Sequence, residues 1–516
     1  MEKNTTASKA FHMGNPPIGE LRFKPPEPAE PWSGTFDATK PGQQCIQKDY
    51  LFKQLSGNED CLNLNIYTTE LPPEHQKPKP VMVFIHGGGF VVGSNSNDIY
   101  GPEFLLKEDV VLVCINYRLG VLGFLKLDDP SLGVYGNMAF KDMVLALKWV
   151  QDNIKDYNGD PDNVTIFGES AGSVSVHLLT LSPLTKGLFH KAIAQSGSSL
   201  NGWAQCQKNV AQQYARFTGC DSKDEKVMLE HFQKLTREEI YSGQHELDKI
   251  DKFSNIDRYA GWVVEPPSPN AFLSKPPAEI IASGDYHHVP LMMGYNNCEG
   301  MLYEGVVAKK NRHKYWTVPE INVPVALDLE DGSEVKRDLG EKIVKFYLGE
   351  GPYSIEKHLL DLYDLMSDNC FSWGIYQAAR NHAKHNTTPV YLYRFSYESH
   401  LNMYKHLNKI TAPGVSHADD LGYLFNTIFR LKIKPGSLED TAQKTVCRLW
   451  ANFARHGNPT PNSDDLLNVK WLPVENDVVN FLDIGEELQP LANPEQERFE
   501  FWNTIYRTHP TTAKLI

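Results

Sequence analysis

Residues 163–181 read NVTIFGESAGSVSVHLLTL. Val164 to Phe167 are strand formers that run straight into Gly168-Glu169-Ser170-Ala171-Gly172. Beyond that corner, Ala171, Val174, Leu178 and Leu181 recur at helical spacing. The chain must turn within five residues, with glycine on each side of the serine where a Cβ atom would crowd the bend. Such a corner is either an ordinary turn or a serine held out at a strand end for chemistry. The strand before it and the helix after it favour the second reading, because the new helix aims its free N–H groups and positive dipole end at the serine. The same unit constrains the fold class, since strands that feed helices through tight turns build parallel sheets covered on both faces.

The rest of the chain repeats this alternation. VMVFI (81–85), VVLVCI (110–115), HKAIAQ (190–195), VPLMMGY (289–295) and PVYLYRF (389–395) read as buried strands. Met143, Leu147, Val150 and Ile154 mark a helix over 138–154, and Val446, Leu449, Trp450 and Phe453 mark another over 440–456. The proline-rich stretch 16–31 reads as an extended wrapping segment. In a sheet of this kind ligands sit beyond the carboxyl ends of the strands. A chain of 516 residues with 41% hydrophobic and 22% charged residues can bury a large core. No apolar run approaches the roughly 18 residues of a membrane helix. With 51 basic against 64 acidic residues, the net charge of −13 repels nucleic acid and anionic lipid. The N-terminus shows no apolar signal region, so a cytoplasmic location is expected, with secretion as the alternative if the N-terminus is incomplete. Eight cysteines without a C-x-x-C pair give no metal pattern. No metal or cofactor is expected, and the expected partners are small molecules.

A serine hydroxyl needs a base, and its product oxyanion needs donors. The loop His86-Gly87-Gly88-Gly89-Phe90 follows a buried strand and lets the main chain approach a reacting carbonyl. A phosphate cradle would place Lys-Ser/Thr after the last glycine, whereas Phe90-Val91 follow here. The N–H of Ala171 would complete the donor set. Where a serine sits on such a corner, the chain order is Ser, acid, His. Among 18 histidines, His417 in PGVSHADDLGYLF (413–425) lies on a loop in the right region. His456 is its rival but reads as a cation at a helix C-terminus before Gly457. Glu299 stands just past strand 289–295 and is the leading acid, with Glu304 and Asp285 as alternatives.

Taken together, NEDCLNLNIY (58–67), FIHGGGFVVGS (84–94), INYRLGVLGFL (115–125), GNMAFKDMVLALKWVQDNI (136–154), NGDPDNVTIFGESAG (158–172), AIAQSGS (192–198) and GVSHADDLGYLF (414–425) resemble the type-B carboxylesterase/cholinesterase family. The likeness runs from about Pro16 to Trp502, and stretches such as YGPEFLLKEDVVLV (100–113) look most like insect α-esterases. It implies an α/β-hydrolase fold with a large, mainly parallel sheet, as one domain over 16–516 with insertions. Residues 1–15, where the family has more strands, are expected to be disordered or truncated. It also implies a Ser170, Glu299, His417 triad and an oxyanion hole from the N–H groups of Gly88, Gly89 and Ala171. A Cys45–Cys61 bridge and an Arg22–Glu59 ion pair follow from the same likeness, which also suggests Trp203 and Phe371 as pocket aromatics, with plain core packing as the alternative. Cholinesterases carry a choline-binding tryptophan inside the first disulfide loop; CIQKDYLFKQLSGNEDC has none, so a choline ester is disfavoured. The implied activity is hydrolysis of xenobiotic, dietary or lipid-like carboxylic esters, a detoxification role, by a monomer or weak homo-oligomer. A slow-turnover sequestering esterase and a hormone or pheromone esterase are the alternatives. A non-catalytic adhesion relative fits least, because such proteins usually lack the serine.

Overall fold

The structure, a computed structural model, describes residues 6–49, 54–71, 77–250, 259–307, 309–429 and 431–509. Ten strands share one sheet: β1 (Thr6–His12), β2 (Asn63–Thr68), β3 (Lys79–Ile85), β4 (Val111–Ile115), β5 (Gly159–Glu169), β6 (Lys191–Gln195), β7 (Leu291–Asn296), β8 (Val390–Phe395), β9 (Asn480–Ile484) and β10 (Leu488–Ala492). Their order across the sheet is β1-β2-β4-β3-β5-β6-β7-β8-β9-β10. Every pair from β4 to β9 is parallel, and the antiparallel pairs lie at the two edges, β1–β2–β4 on one side and β9–β10 on the other.

The central strands are apolar because both faces are covered. Along β3, Val81, Val83 and Ile85 enter one core while Met82 and Phe84 enter the other, the alternation that a strand's two-residue period dictates. Helices α1 (Met138–Asn153), α2 (Ala171–Leu181), α3 (Ile355–Ser367), α4 (Trp373–His385) and α6 (Gln496–Thr508) contribute to the first core, and α5 (Leu438–His456) to the second. Met143, Leu147 and Val150 of α1 and Val446, Leu449, Trp450 and Phe453 of α5 are the buried stripes expected from their spacing.

Within residues 1–15, expected to be disordered or truncated, 6–12 form β1 and pair antiparallel with β2. Phe11 holds this strand: its ring lies 5.5–6.1 Å from those of Trp32, Phe36, Trp149 and Tyr157. At the carboxyl ends of β3, β5, β6 and β7 sit, in turn, the glycine loop 86–89, the GESAG corner, the loop 196–204 and the Glu299 turn.

Candidate active site

The corner glycines are demanded by close approach. A Cβ on Gly168 would lie 2.6 Å from the Ile85 carbonyl oxygen, and one on Gly172 would lie 2.0 Å from the same atom. Ser170 itself has φ 58° and ψ −119°, backbone geometry that L-residues adopt only when the surroundings impose it. Here the Ser170 N–H donates to the Gln195 carbonyl at the end of β6 (2.8 Å), while the Ser170 carbonyl accepts from Val174 N–H in the first turn of α2 (3.0 Å). The Ala171 N–H, first in that helix, has no hydrogen-bond partner among the described residues, as expected of a helix N-terminus.

The glycine loop is folded against this corner. A Cβ on Gly87 would come within 2.5 Å of Glu169 Oε2 and 3.1 Å of Ser170 Cβ. Gly88 (φ 109°) and Gly89 (φ 60°) adopt left-handed geometry, and the Gly88 carbonyl accepts from both Val91 and Val92 N–H groups (3.1 Å each). His86 anchors the loop. Its ring stacks on Tyr117 at 4.4 Å, its Nδ1 donates to the Gly87 carbonyl (2.8 Å), and Tyr117 Oη–H donates to the His86 carbonyl (2.8 Å). Burial pushes the His86 imidazole down to about 4, so it is neutral.

His417 and Glu299 meet although 118 positions separate them. His417 Nδ1–H donates to Glu299 Oε2 at 2.6 Å, and Glu299 Oε1 accepts from Asn296 N–H at 2.7 Å. The histidine loop is pinned to the end of β7, where Val415 N–H donates to Asn297 Oδ1 (2.7 Å) and Cys298 N–H to the Val415 carbonyl (3.0 Å). A turn closed by Ser416 N–H to Asp419 Oδ2 (2.8 Å) then presents the imidazole. Its Nε2 faces Glu169 Oε1 at 3.1 Å. Ser170 Oγ makes no hydrogen bond among the described residues, so the base and the hydroxyl are not yet joined. Burial by itself would depress the imidazole; the charges of Glu169, Glu299 and Asp420 and the Glu299 hydrogen bond outweigh it and hold His417 above its ordinary value. Burial raises the Glu169 carboxyl in turn, only partly offset by His417.

The other expected residues fall as follows. Phe371 packs its ring 4.5 Å from that of His417, and Trp203 lies 5.7 Å from Phe371. Glu304 pairs with Arg312 and Tyr363, Asp285 is exposed, and His456 is an exposed residue at the end of α5 before Gly457 at φ 67°. Arg22 binds Glu59 through two contacts, Nε to Oε2 at 2.7 Å and Nη2 to Oε1 at 2.6 Å. Cys45 and Cys61 are joined by a disulfide.

Sequence reasoning assigned no role to four buried residues around the site: Glu169, Gln195, Asn201 and Asp420. Asp420 accepts from Gln195 Nε2 (2.7 Å) and Asn296 Nδ2 (3.3 Å) behind the imidazole. Glu169 and Asp420 each stand one or three positions from a residue that was singled out, and a buried carboxylate beside a candidate base was the available signal. Asn201 gave none, since the carbonyls its Nδ2 reaches lie 169 and 170 positions downstream. Chemically, the assembly offers a hydroxyl on a strained bend, a carboxylate-oriented imidazole and main-chain amides folded against the same corner. That combination suits attack on a carbonyl.

A model of the "Carboxylesterase family" matches residues 4–502. Juvenile hormone esterase of Tribolium castaneum is 35% identical over 90% of this chain and 81% of that protein. Pyrethroid hydrolase Ces2e of Rattus norvegicus is 34% identical over 95% of this chain and 84% of that protein. Among solved structures, juvenile hormone esterase from Manduca sexta, with OTFP covalently attached, superposes with a TM-score of 0.86 at 29% identity, covering 98% of this chain and 95% of that chain.

Proposed function

Because the chain belongs to the carboxylesterase family and hydrolyses carboxylic esters, we propose that Ser170 is its nucleophile, His417 its general base and Glu299 the residue that orients the base. The supporting observation is the 2.6 Å bond between His417 Nδ1 and buried Glu299, held beside the strained Ser170 corner. With the Nδ1 proton committed to Glu299, Nε2 is left bare to take a proton. A modest swing of the imidazole or a rotation of the serine side chain joins Nε2 to Oγ, a contact that tightens when substrate binds.

In the first step Ser170 Oγ attacks the ester carbonyl carbon while its proton passes to His417 Nε2. The carbonyl π electrons move onto oxygen, and that oxyanion is held by the N–H groups of Gly88, Gly89 and Ala171. Each donor is worth roughly 3–4 kcal/mol in such a transition state. Collapse breaks the bond to the alcohol oxygen, which leaves with the proton from His417. Water then repeats the sequence on the acyl-enzyme: His417 takes its proton, the hydroxide attacks the acyl carbon, and Ser170 recovers its proton as the carboxylic acid departs. Glu299 stabilises the imidazolium formed in each half.

Trp203 and Phe371 form an aromatic wall beside the imidazole and would hold the apolar part of the ester. We take the substrates to be apolar xenobiotic, dietary or lipid-like esters, with a pyrethroid and a juvenoid as the first probes because relatives are named for them. Among the described residues no helix is long and apolar enough to cross a membrane. The Cys45–Cys61 bridge supports an oxidising compartment over the expected cytoplasm, and counting free thiols in protein from its native source tests that reading.

Ser170→Ala decides the catalytic assignment. Turnover of p-nitrophenyl butyrate is expected to fall by about 10⁴-fold or more. A variant that folds and retains near-normal turnover would show that another residue is the nucleophile.

A further inference from the structure

The aromatic wall beside His417 is built from two segments far apart in sequence, the loop 196–204 after β6 and a π-helical turn, Asp368–Ser372, between α3 and α4. One side chain joins them. Asn201 is buried, and all four of its hydrogen-bonding positions are used. Its Oδ1 accepts from Ser198 N–H (2.7 Å) and Ser198 Oγ–H (3.0 Å). Its Nδ2 donates to the carbonyls of Cys370 (2.8 Å) and Phe371 (2.9 Å).

The π-helical turn is what makes those carbonyls available. A wider turn displaces carbonyls from the regular i→i+4 ladder, and such turns gather at functional sites. Trp203 Nε1–H donates to the same Cys370 carbonyl at 2.7 Å, so the indole and Asn201 share one anchor. Space is reserved for the link: a Cβ on Gly374 would lie 2.5 Å from Asn201 Nδ2. The loop's other end is fixed to the serine helix by Ser173 Oγ–H donating to the Gly197 carbonyl (2.6 Å) and by Ser199 N–H donating to His177 Nδ1 (3.0 Å).

We propose that Asn201 is a positioning residue that clamps Trp203 and Phe371 into one wall and thereby sets which ester chains the site accepts. It touches neither the reacting atoms nor the base. It acts through Phe371, which packs on His417, and through the carbonyl that also holds Trp203. Loss of the clamp loosens the wall against the apolar chain, where a long chain presses, more than at the reacting carbonyl, which every ester shares. The proposal rests on the catalytic reading above.

The test compares p-nitrophenyl acetate with p-nitrophenyl octanoate, with rates expressed per active site. Sites are counted from the p-nitrophenol burst with diethyl p-nitrophenyl phosphate, so misfolded protein does not enter the rates. In Asn201→Ala the octanoate-to-acetate ratio of kcat/KM is expected to move by ~10-fold, mostly through KM for octanoate. In a Phe371→Ala background the same substitution should move the ratio by clearly less than in the unmodified protein, because one of the two side chains it acts through is gone. Asn201→Asp keeps the acceptor, removes both donors and should behave as Asn201→Ala does. An unchanged ratio in both variants, an equal effect in the Phe371→Ala background, or failure of both variants to yield titratable sites would overturn the proposal. Failure of the catalytic reading shows differently, as an absent burst in the unmodified protein.

Discussion

Glu169 faces the imidazole of His417 from the side opposite Glu299, at 3.1 Å, in a site where Glu169, Glu299 and His417 are all buried. Both groups hold a proton more tightly than usual: burial raises the Glu169 carboxyl, and the surrounding carboxylates raise the His417 imidazole against its own burial. As the proposed general base, His417 would work only with Nε2 bare, so activity is expected to fall as pH drops through that raised value. Glu169→Gln removes one carboxylate and lowers the imidazole pKa. The acid limb of kcat/KM for p-nitrophenyl butyrate should therefore move to lower pH, by about one unit. An acid limb that stays in place or moves up would show that Glu169 does not act on the base. This residue lies inside the motif that drew attention to Ser170, yet its role could not be read there. A one-residue step along the chain says nothing about which way a side chain turns at a bend.

At the level of elements, two contacts carry predictions. Strand β1 is held by Phe11, which is buried among four aromatic rings. Phe11→Ala should cost ~3 kcal/mol and lower the thermal midpoint; an unchanged midpoint would mean that the edge strand adds nothing to stability. The sequence concealed this strand because TASKAFH carries only one large apolar residue, and its partners, at 32, 36, 149 and 157, cannot be seen to converge. The second contact joins α2 to α4, where the Nε2 atoms of His177 and His382 lie 2.7 Å apart. Ser199 N–H occupies His177 Nδ1, so His177 donates from Nε2 and His382 keeps its proton on Nδ1, toward Tyr286 Oη at 2.9 Å. Burial pushes His177 down to about 3 and His382 well below its ordinary value, with His177, His288 and His385 adding to the effect on the latter. The unfolded chain takes up these protons near 6.5, whereas the folded chain resists them, so stability falls as pH drops from about 6.5 toward about 3. The urea midpoint should decline over that range, and less steeply in His382→Gln. Equal slopes would dismiss the pair as the cause.

For the molecule as a whole, the parts written in local patterns were legible before any coordinates. Apolar runs of strand length gave β3 to β8, helical periodicity gave α1, α2 and α5, and the glycine corner gave the parallel α/β class. Strands β9 and β10 were not read; β10, LQPLA, is the edge strand, largely exposed and paired only on one side. The candidate site was legible where particular residue types stand at strand ends, Ser170, the glycine loop and Glu299, and in the Pro-Gly loop that carries His417. Residues that act by contact across the fold, such as Asn201 and Asp420, were not, since only the closed sheet brings their partners together. Ser170 Oγ is the atom that the proposed mechanism attaches covalently to substrate. The most direct test treats the protein with diethyl p-nitrophenyl phosphate and maps the adduct by peptide mass spectrometry. One diethylphosphoryl group per chain, on the peptide that contains Ser170, should appear in step with the loss of esterase activity. Complete inactivation with Ser170 unmodified and the group on another residue would contradict it.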